Sequence, residues 1–139
     1  MATAVAVAEP HALVPIIRED LAEIDFGEFE GRTYEEIARS NPEMHKRWMR
    51  EPELVRFPGG ESFDDLRARV IPEINRIRTE FDASTVGVVT HGGVIRTILA
   101  DALGLTGAAV FRLDLEYGGT TSIDWIGNEA IVHCVNAAV

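Results

Sequence analysis

Thr85-Val86-Gly87-Val88-Val89-Thr90-His91-Gly92-Gly93-Val94-Ile95-Arg96-Thr97-Ile98-Leu99 passes from an apolar, strand-like run into a helix-like run through a His-Gly-Gly turn. A helix start leaves several backbone N–H groups without partners and carries partial positive charge. Glycines let an anion approach that backbone closely, and an imidazole adds a further donor. Open α/β sheets bind ligands at this place, beyond the carboxyl end of a strand. The pattern points to an α/β fold holding a phosphate-like anion near His91 and Gly92. A tight turn whose histidine is merely hydrogen-bonded reads the same way, because glycine-rich strand-to-helix turns are frequent in such folds.

The 139 residues fit one domain with a real core, and 46% hydrophobic with 26% charged residues is ordinary for a globular protein. With 13 Lys and Arg against 23 Asp and Glu, the net charge of −10 argues against nucleic acid as the main partner. A small phosphorylated substrate stays compatible, since it responds to the local field. The lone Cys134 rules out an intrachain disulfide framework, and the histidines at 11, 45, 91 and 133 form no zinc-ligand spacing. No metal or organic cofactor is expected. No apolar stretch reaches the roughly 20 residues that cross a bilayer, and the start lacks the basic flank of a signal peptide. A cytoplasmic protein without membrane attachment is expected.

Residues 2–9 read as the end of a helix closed by Pro10, and Leu13-Val14-Pro15-Ile16-Ile17 as a short edge strand. Leu21 to Gly31 is acidic, aromatic and glycine-punctuated, an irregular surface segment. Thr33-Tyr34-Glu35-Glu36 has capping-box form and predicts a helix of about two turns. Pro42 opens a second short helix carrying Met44, Trp48 and Met49. After the loop Phe57-Pro58-Gly59-Gly60-Glu61, Ser62 and Asp65 cap a long helix whose Phe63, Leu66, Val70, Ile74, Ile77 and Phe81 recur at helical spacing. Pro72 inside it should kink the helix or cost about 3 kcal/mol. A strand over 85–90 and a helix from about 93 to 103, stopped by Gly104, come next. Arg112-Leu113-Asp114-Leu115-Glu116 alternates like a strand. Ser122–Ile126 and Ala130–Val135 flank Gly127-Asn128, a hairpin signal.

Taken in order, Leu21-x-Glu23-Ile24-x-Phe26-Gly27-x-Phe29-Glu30-Gly31, Trp48, Pro58-Gly59-Gly60-Glu61-Ser62 and Val89-Thr90-His91-Gly92-Gly93 resemble the histidine phosphatase superfamily. This is the phosphoglycerate-mutase-like family, and the likeness is to its small bacterial phosphatase and alpha-ribazole-phosphatase branch. The resemblance implies a three-layer α/β fold with a mostly parallel sheet. It implies phosphomonoester hydrolysis through a phosphohistidine. Glu23 matches the family's acid/base carboxylate, and His91 matches the second histidine, which stabilises charge on the transferring phosphoryl oxygens. Gly92 N–H would help hold one of those oxygens. On their own residues, Glu23 also reads as one more solvated carboxylate beside Asp25, Glu28 and Glu30, and Glu61 as decoration of a turn. Phe26, Phe29 and Trp48 read as core or pocket wall, and His11, His45 and His133 as ordinary surface histidines.

The family's defining Arg-His-Gly, which carries the phosphorylated histidine, has no counterpart: the sequence contains no Arg-His dipeptide, and its only His-Gly is His91-Gly92. Residues 1–9 resemble the tail of the helix after the family's second strand. The expectation is a single, partial domain over 1–139, N-terminally truncated by roughly a βαβ unit and inactive alone, because nucleophilic catalysis needs its nucleophile. The lost strand would expose sheet edges that invite a homodimer. Two alternatives accompany phosphomonoester hydrolysis. One is mutase-type phosphoryl transfer, disfavoured by the short segment between Gly31 and Pro58. The other is a non-catalytic module that binds phosphorylated ligands or dimerises.

Overall fold

Two reciprocal caps fix where the central helices begin. In the computed structural model, which describes residues 1–138, Thr33 Oγ1 accepts the Glu36 N–H while the Glu36 carboxylate accepts the Thr33 N–H. Ser62 and Asp65 repeat the device one segment later. Each pair satisfies two otherwise orphaned N–H groups. The helices that follow are α2 (Tyr34–Ser40) and α4 (Phe63–Glu80). The others are α1 (Ala2–Ala8), α3 (Pro42–Arg50, capped by Asn41) and α5 (Gly92–Leu103). α5 ends at Gly104 in the left-handed conformation, with the Leu105 N–H returning to the Ala100 carbonyl. No helix among the described residues is long and apolar enough to cross a membrane.

α4 and α5 pack against each other, and the core forms around that contact. Leu66, Val70, Ile74 and Ile77 line the buried face of α4, with Val94 opposite on α5. Burying a side chain of this size contributes about 1.5–3 kcal/mol. Four of them outweigh the roughly 3 kcal/mol cost of a proline within a helix. That explains how α4 runs through Pro72 without interruption. The segment read as irregular surface is irregular, with short 3-10 turns at Glu19–Leu21 and Gly27–Phe29, yet it is not peripheral. Leu21, Ile24 and Phe29 belong to the core. Its glycines and carboxylates mask three apolar residues at irregular spacing.

The only paired strands among the described residues are β1 (Thr120–Ile126) and β2 (Glu129–Ala137), an antiparallel hairpin with Ile126 opposite Glu129. Arg78 of α4 ties it down, donating to the Gly127 carbonyl (2.5 Å) and lying over the Trp125 ring. The mostly parallel sheet is therefore not formed by these residues. Both runs expected to enter it, 13–17 and 85–90, are without strand pairing. A ladder needs a neighbour, and among the described residues none pairs with them. Their side chains show the same thing: Leu13, Val14, Ile16 and Ile17 are 63–86% exposed, and Val86, Val88 and Val89 are 40–44% exposed. Arg112–Glu116 is not a strand either, because Arg112 closes a 3-10 helix, Gly107–Arg112, and among the described residues none pairs with 113–116. Val139, last residue of the expected domain, lies outside the described residues.

The α4 cap carries a pH signature. Hydrogen bonds from the Ser62 hydroxyl and N–H, with Arg56 beside it, pull the Asp65 carboxyl from the usual 3.8 to about 2. A carboxyl with a lowered folded pKa stabilises the native state above its unfolded value and loses that contribution as pH falls through the folded one. Acid titration of helicity by circular dichroism is expected to show a loss between about pH 4 and 2 that is reduced in Asp65→Asn.

Candidate functional site

Glu23 lies in the irregular segment, and the core on either side of it aims its carboxylate at the start of α5. Glu23 Oε2 accepts the Gly93 N–H (3.2 Å), and Oε1 accepts the N–H of Ile24 (2.9 Å). A carboxylate there meets both an orphan donor and the positive end of the helix. The contact requires glycine, since a Cβ on Gly93 would overlap Glu23 Oε1 and stand 3.3 Å from Cδ. His91 is the N-cap residue of α5, with extended backbone, no side-chain capping bond and an exposed ring. Thr90 Oγ1 donates to the Leu21 carbonyl (2.7 Å), pinning the chain before His91 to the chain before Glu23. Residues 70 positions apart in sequence thus meet at one helix terminus, and all three expected site residues, Glu23, His91 and Gly92, belong to it.

The loop 57–61 closes the other side. A Cβ on Gly60 would overlap the Asp25 carbonyl, and one on Gly27, whose φ is +56°, would overlap the Pro58 carbonyl. The Glu61 and Glu28 N–H groups donate to those same two carbonyls, both at 2.9 Å. The glycines are there for backbone approach rather than for chemistry. Glu61 is more than turn decoration. Its two oxygens receive Arg69 Nε and Nη2, both at 2.8 Å, and Oε2 also accepts the Asp25 N–H. The Arg69 guanidinium holds the Glu61 carboxyl below its usual range against a smaller opposing effect of burial, and Glu61 raises Arg69 in return.

Arg69 is the residue that sequence reasoning missed. Its place on α4, between Leu66 and Val70, reads as a solvated face unless the partner loop is known. Arg96 was missed as well. Its Nη2 donates to the Leu113 carbonyl (3.2 Å), and its Nη1 would lie 3.1 Å from a Cβ on Gly92, so a guanidinium sits beside the helix start. Among the aromatics, Phe26, Trp48 and Phe57 form one cluster with ring centroids 4.9–5.9 Å apart, which is wall and core. His11 is exposed and His133 pairs with Asp124 (2.8 Å) on the hairpin. Among the described residues, no three His, Cys, Asp or Glu side chains converge as a metal requires. Two surface depressions, one at Glu116–Gly119 and one along α3, include neither Glu23 nor His91.

The family model of the histidine phosphatase superfamily (branch 1) matches residues 1–138. This chain belongs to the histidine phosphatase superfamily. Its fold is accordingly α/β, of the phosphoglycerate-mutase-like kind. The structure of Bacillus stearothermophilus YhfR superposes on this member with a TM-score of 0.88 at 30% identity, over 99% of this chain and 68% of that one. The bifunctional protein Rv2228c of Mycobacterium tuberculosis is 37% identical over 128 residues, 92% of this chain and 35% of that protein. Phosphoserine phosphatase 1 of Hydrogenobacter thermophilus is 35% identical over 103 residues, 74% of this chain and 49% of that protein. This member thus spans between 35% and 49% of the length of those two relatives.

Proposed function

We propose that these residues form the acid/base side of a phosphomonoesterase that works through a phosphohistidine, with a small phosphorylated substrate. The observation that carries this reading is the Glu23 carboxylate held 3.2 Å from the Gly93 N–H, at the helix start that His91 caps. A module that only bound phosphate would gain nothing from a carboxylate beside its anion, since like charges repel. A carboxyl there has work to do when a proton must move. The phosphatase name of the Hydrogenobacter relative supports the same class of reaction.

In the first step, a histidine nitrogen attacks phosphorus, the bond to the ester oxygen breaks, and Glu23 gives that oxygen its proton. In the second, water attacks the phosphohistidine while Glu23, now ionised, takes the water proton. Phosphate leaves and the histidine is regenerated. His91 and the Gly92 N–H balance charge on the phosphoryl oxygens through both steps. The nucleophile is not His91, whose ring belongs to the stabilising side. The 139 residues therefore act as a partial domain that does not turn over alone. The unpaired runs 13–17 and 85–90 support a mostly parallel sheet completed by a further strand from outside these residues. They also favour a second reading, in which another copy covers those edges and the protein is a homodimer without catalysis. Mutase-type transfer to a second substrate would use the same residues, but the short α2–α3 region supports water as acceptor. The cytoplasm is the compartment that the single cysteine fits.

A phosphatase assay on the purified chain, beside the same chain joined to a family Arg-His-Gly section, tests the reading. Turnover of p-nitrophenyl phosphate only by the joined protein is the expected result. Robust turnover by the 139 residues alone would overturn it.

A further inference from the structure

We propose that Arg69, locked in place by Glu61, is a positioning residue that sets where the Glu23 carboxylate points. The inference rests on the acid/base reading of Glu23. Apart from one short turn, residues 20–25 have no helix or ladder to hold them, yet the carboxylate must be kept within hydrogen-bond reach of Gly93. Arg69 reaches out of α4 and supplies that missing scaffold. Nη1 donates to the carbonyls of Asp20 (2.8 Å) and Ala22 (2.9 Å), and Nη2 to the carbonyl of Glu23 itself (2.9 Å). Nε and Nη2 grip both oxygens of Glu61, and Glu61 Oε2 holds the Asp25 N–H (3.0 Å).

Glu23 is thereby fixed through its own carbonyl and through the second peptide unit after it. Thr90 fixes the chain before it at the Leu21 carbonyl. The arrangement depends on a planar fork that serves a carboxylate and three carbonyls together. An ammonium group offers three donors around a point and cannot reproduce it.

The Gly93 and Ile24 N–H groups both bond the Glu23 carboxylate, so their hydrogen-exchange protection reports whether that carboxylate is in place. In Arg69→Met the Gly93 amide should exchange at least severalfold faster while amides in the middle of α4 keep their protection, since a hydrogen bond weakens steeply once its geometry is lost. Arg69→Lys should not restore the slow exchange. Where Arg69→Met loses resonance dispersion and does not fold, Glu61→Gln decides, and it too should speed exchange at Gly93. A folded Arg69→Met or Glu61→Gln whose Gly93 and Ile24 amides exchange as in the parent would overturn the proposal. Failure of the acid/base reading would look different: Glu23→Gln in an active, joined protein would leave turnover unchanged, whatever the exchange rates show.

Discussion

Glu23→Gln is expected to lower kcat of a catalytically complete version of this protein by about 10²–10⁴-fold, the usual contribution of a positioned general acid and base. Folding stability should fall less than on removal of the side chain. Glutamine keeps nearly the same shape and one acceptor oxygen for the Gly93 N–H, while its NH2 group faces the Ile24 N–H that the second carboxylate oxygen now serves. What it lacks is a proton that can be given and taken back. Glu23→Ala makes the complementary comparison, because it removes the acceptor as well as the acid. If the contact served only to cap α5 from a distance, alanine would cost about 0.5–2 kcal/mol of stability and glutamine less, with turnover equal in both. If Glu23 moves protons, both variants lose turnover far beyond anything their stabilities account for, and alanine loses more stability than glutamine. Steady-state kinetics paired with urea unfolding of the same preparations separates the two roles.

Leu66→Ala should carry a large penalty to folding, about 2–5 kcal/mol. Leu66 is fully buried on α4 and packs where α5 begins, with Cδ2 3.4 Å from a Cβ position on Gly93. Its neighbours Val70 and Val94 are equally enclosed, and two helices frame them, so the void has little room to collapse. For 139 residues the total stability is on the order of 7–20 kcal/mol, and a loss of this size is a large share of it. The urea midpoint should fall with the slope unchanged. A change below about 1 kcal/mol would mean that the α4–α5 contact is loose in solution.

The helices were legible because their signals are local. Thr33 with Glu36, Pro42, and Ser62 with Asp65 each announce a start within four residues, and Gly104 announces a stop. Gly127-Asn128 does the same for the hairpin. The runs 13–17 and 85–90 were readable as extended chain, but pairing is a property of two segments, and among the described residues neither run meets a second one. Arg112–Glu116 failed for the same reason, as its alternation met no partner and its first residue was drawn into a 3-10 turn. Within the site, Glu23 and His91 could be placed only because four motifs in order resemble a known family. Taken singly, a carboxylate among carboxylates and a histidine in a turn carry little information. Arg69 and Glu61 were opaque for a further reason. Their meaning lies in the carbonyls of 20–23, which are polar groups that every residue has and no sequence pattern marks.

Gly93 and Glu23 are bound together in a way that bears on how such a chain can change over generations. A side chain at 93 overlaps the Glu23 carboxylate, so position 93 is closed to every other residue while that carboxylate stays where it is. Once the carboxylate is dispensable, the restriction lifts and even alanine becomes acceptable. Drift therefore has a preferred order, with Glu23 free to go first and Gly93 only afterwards. With the glutamate intact beside Gly93, the restriction is in force in this chain.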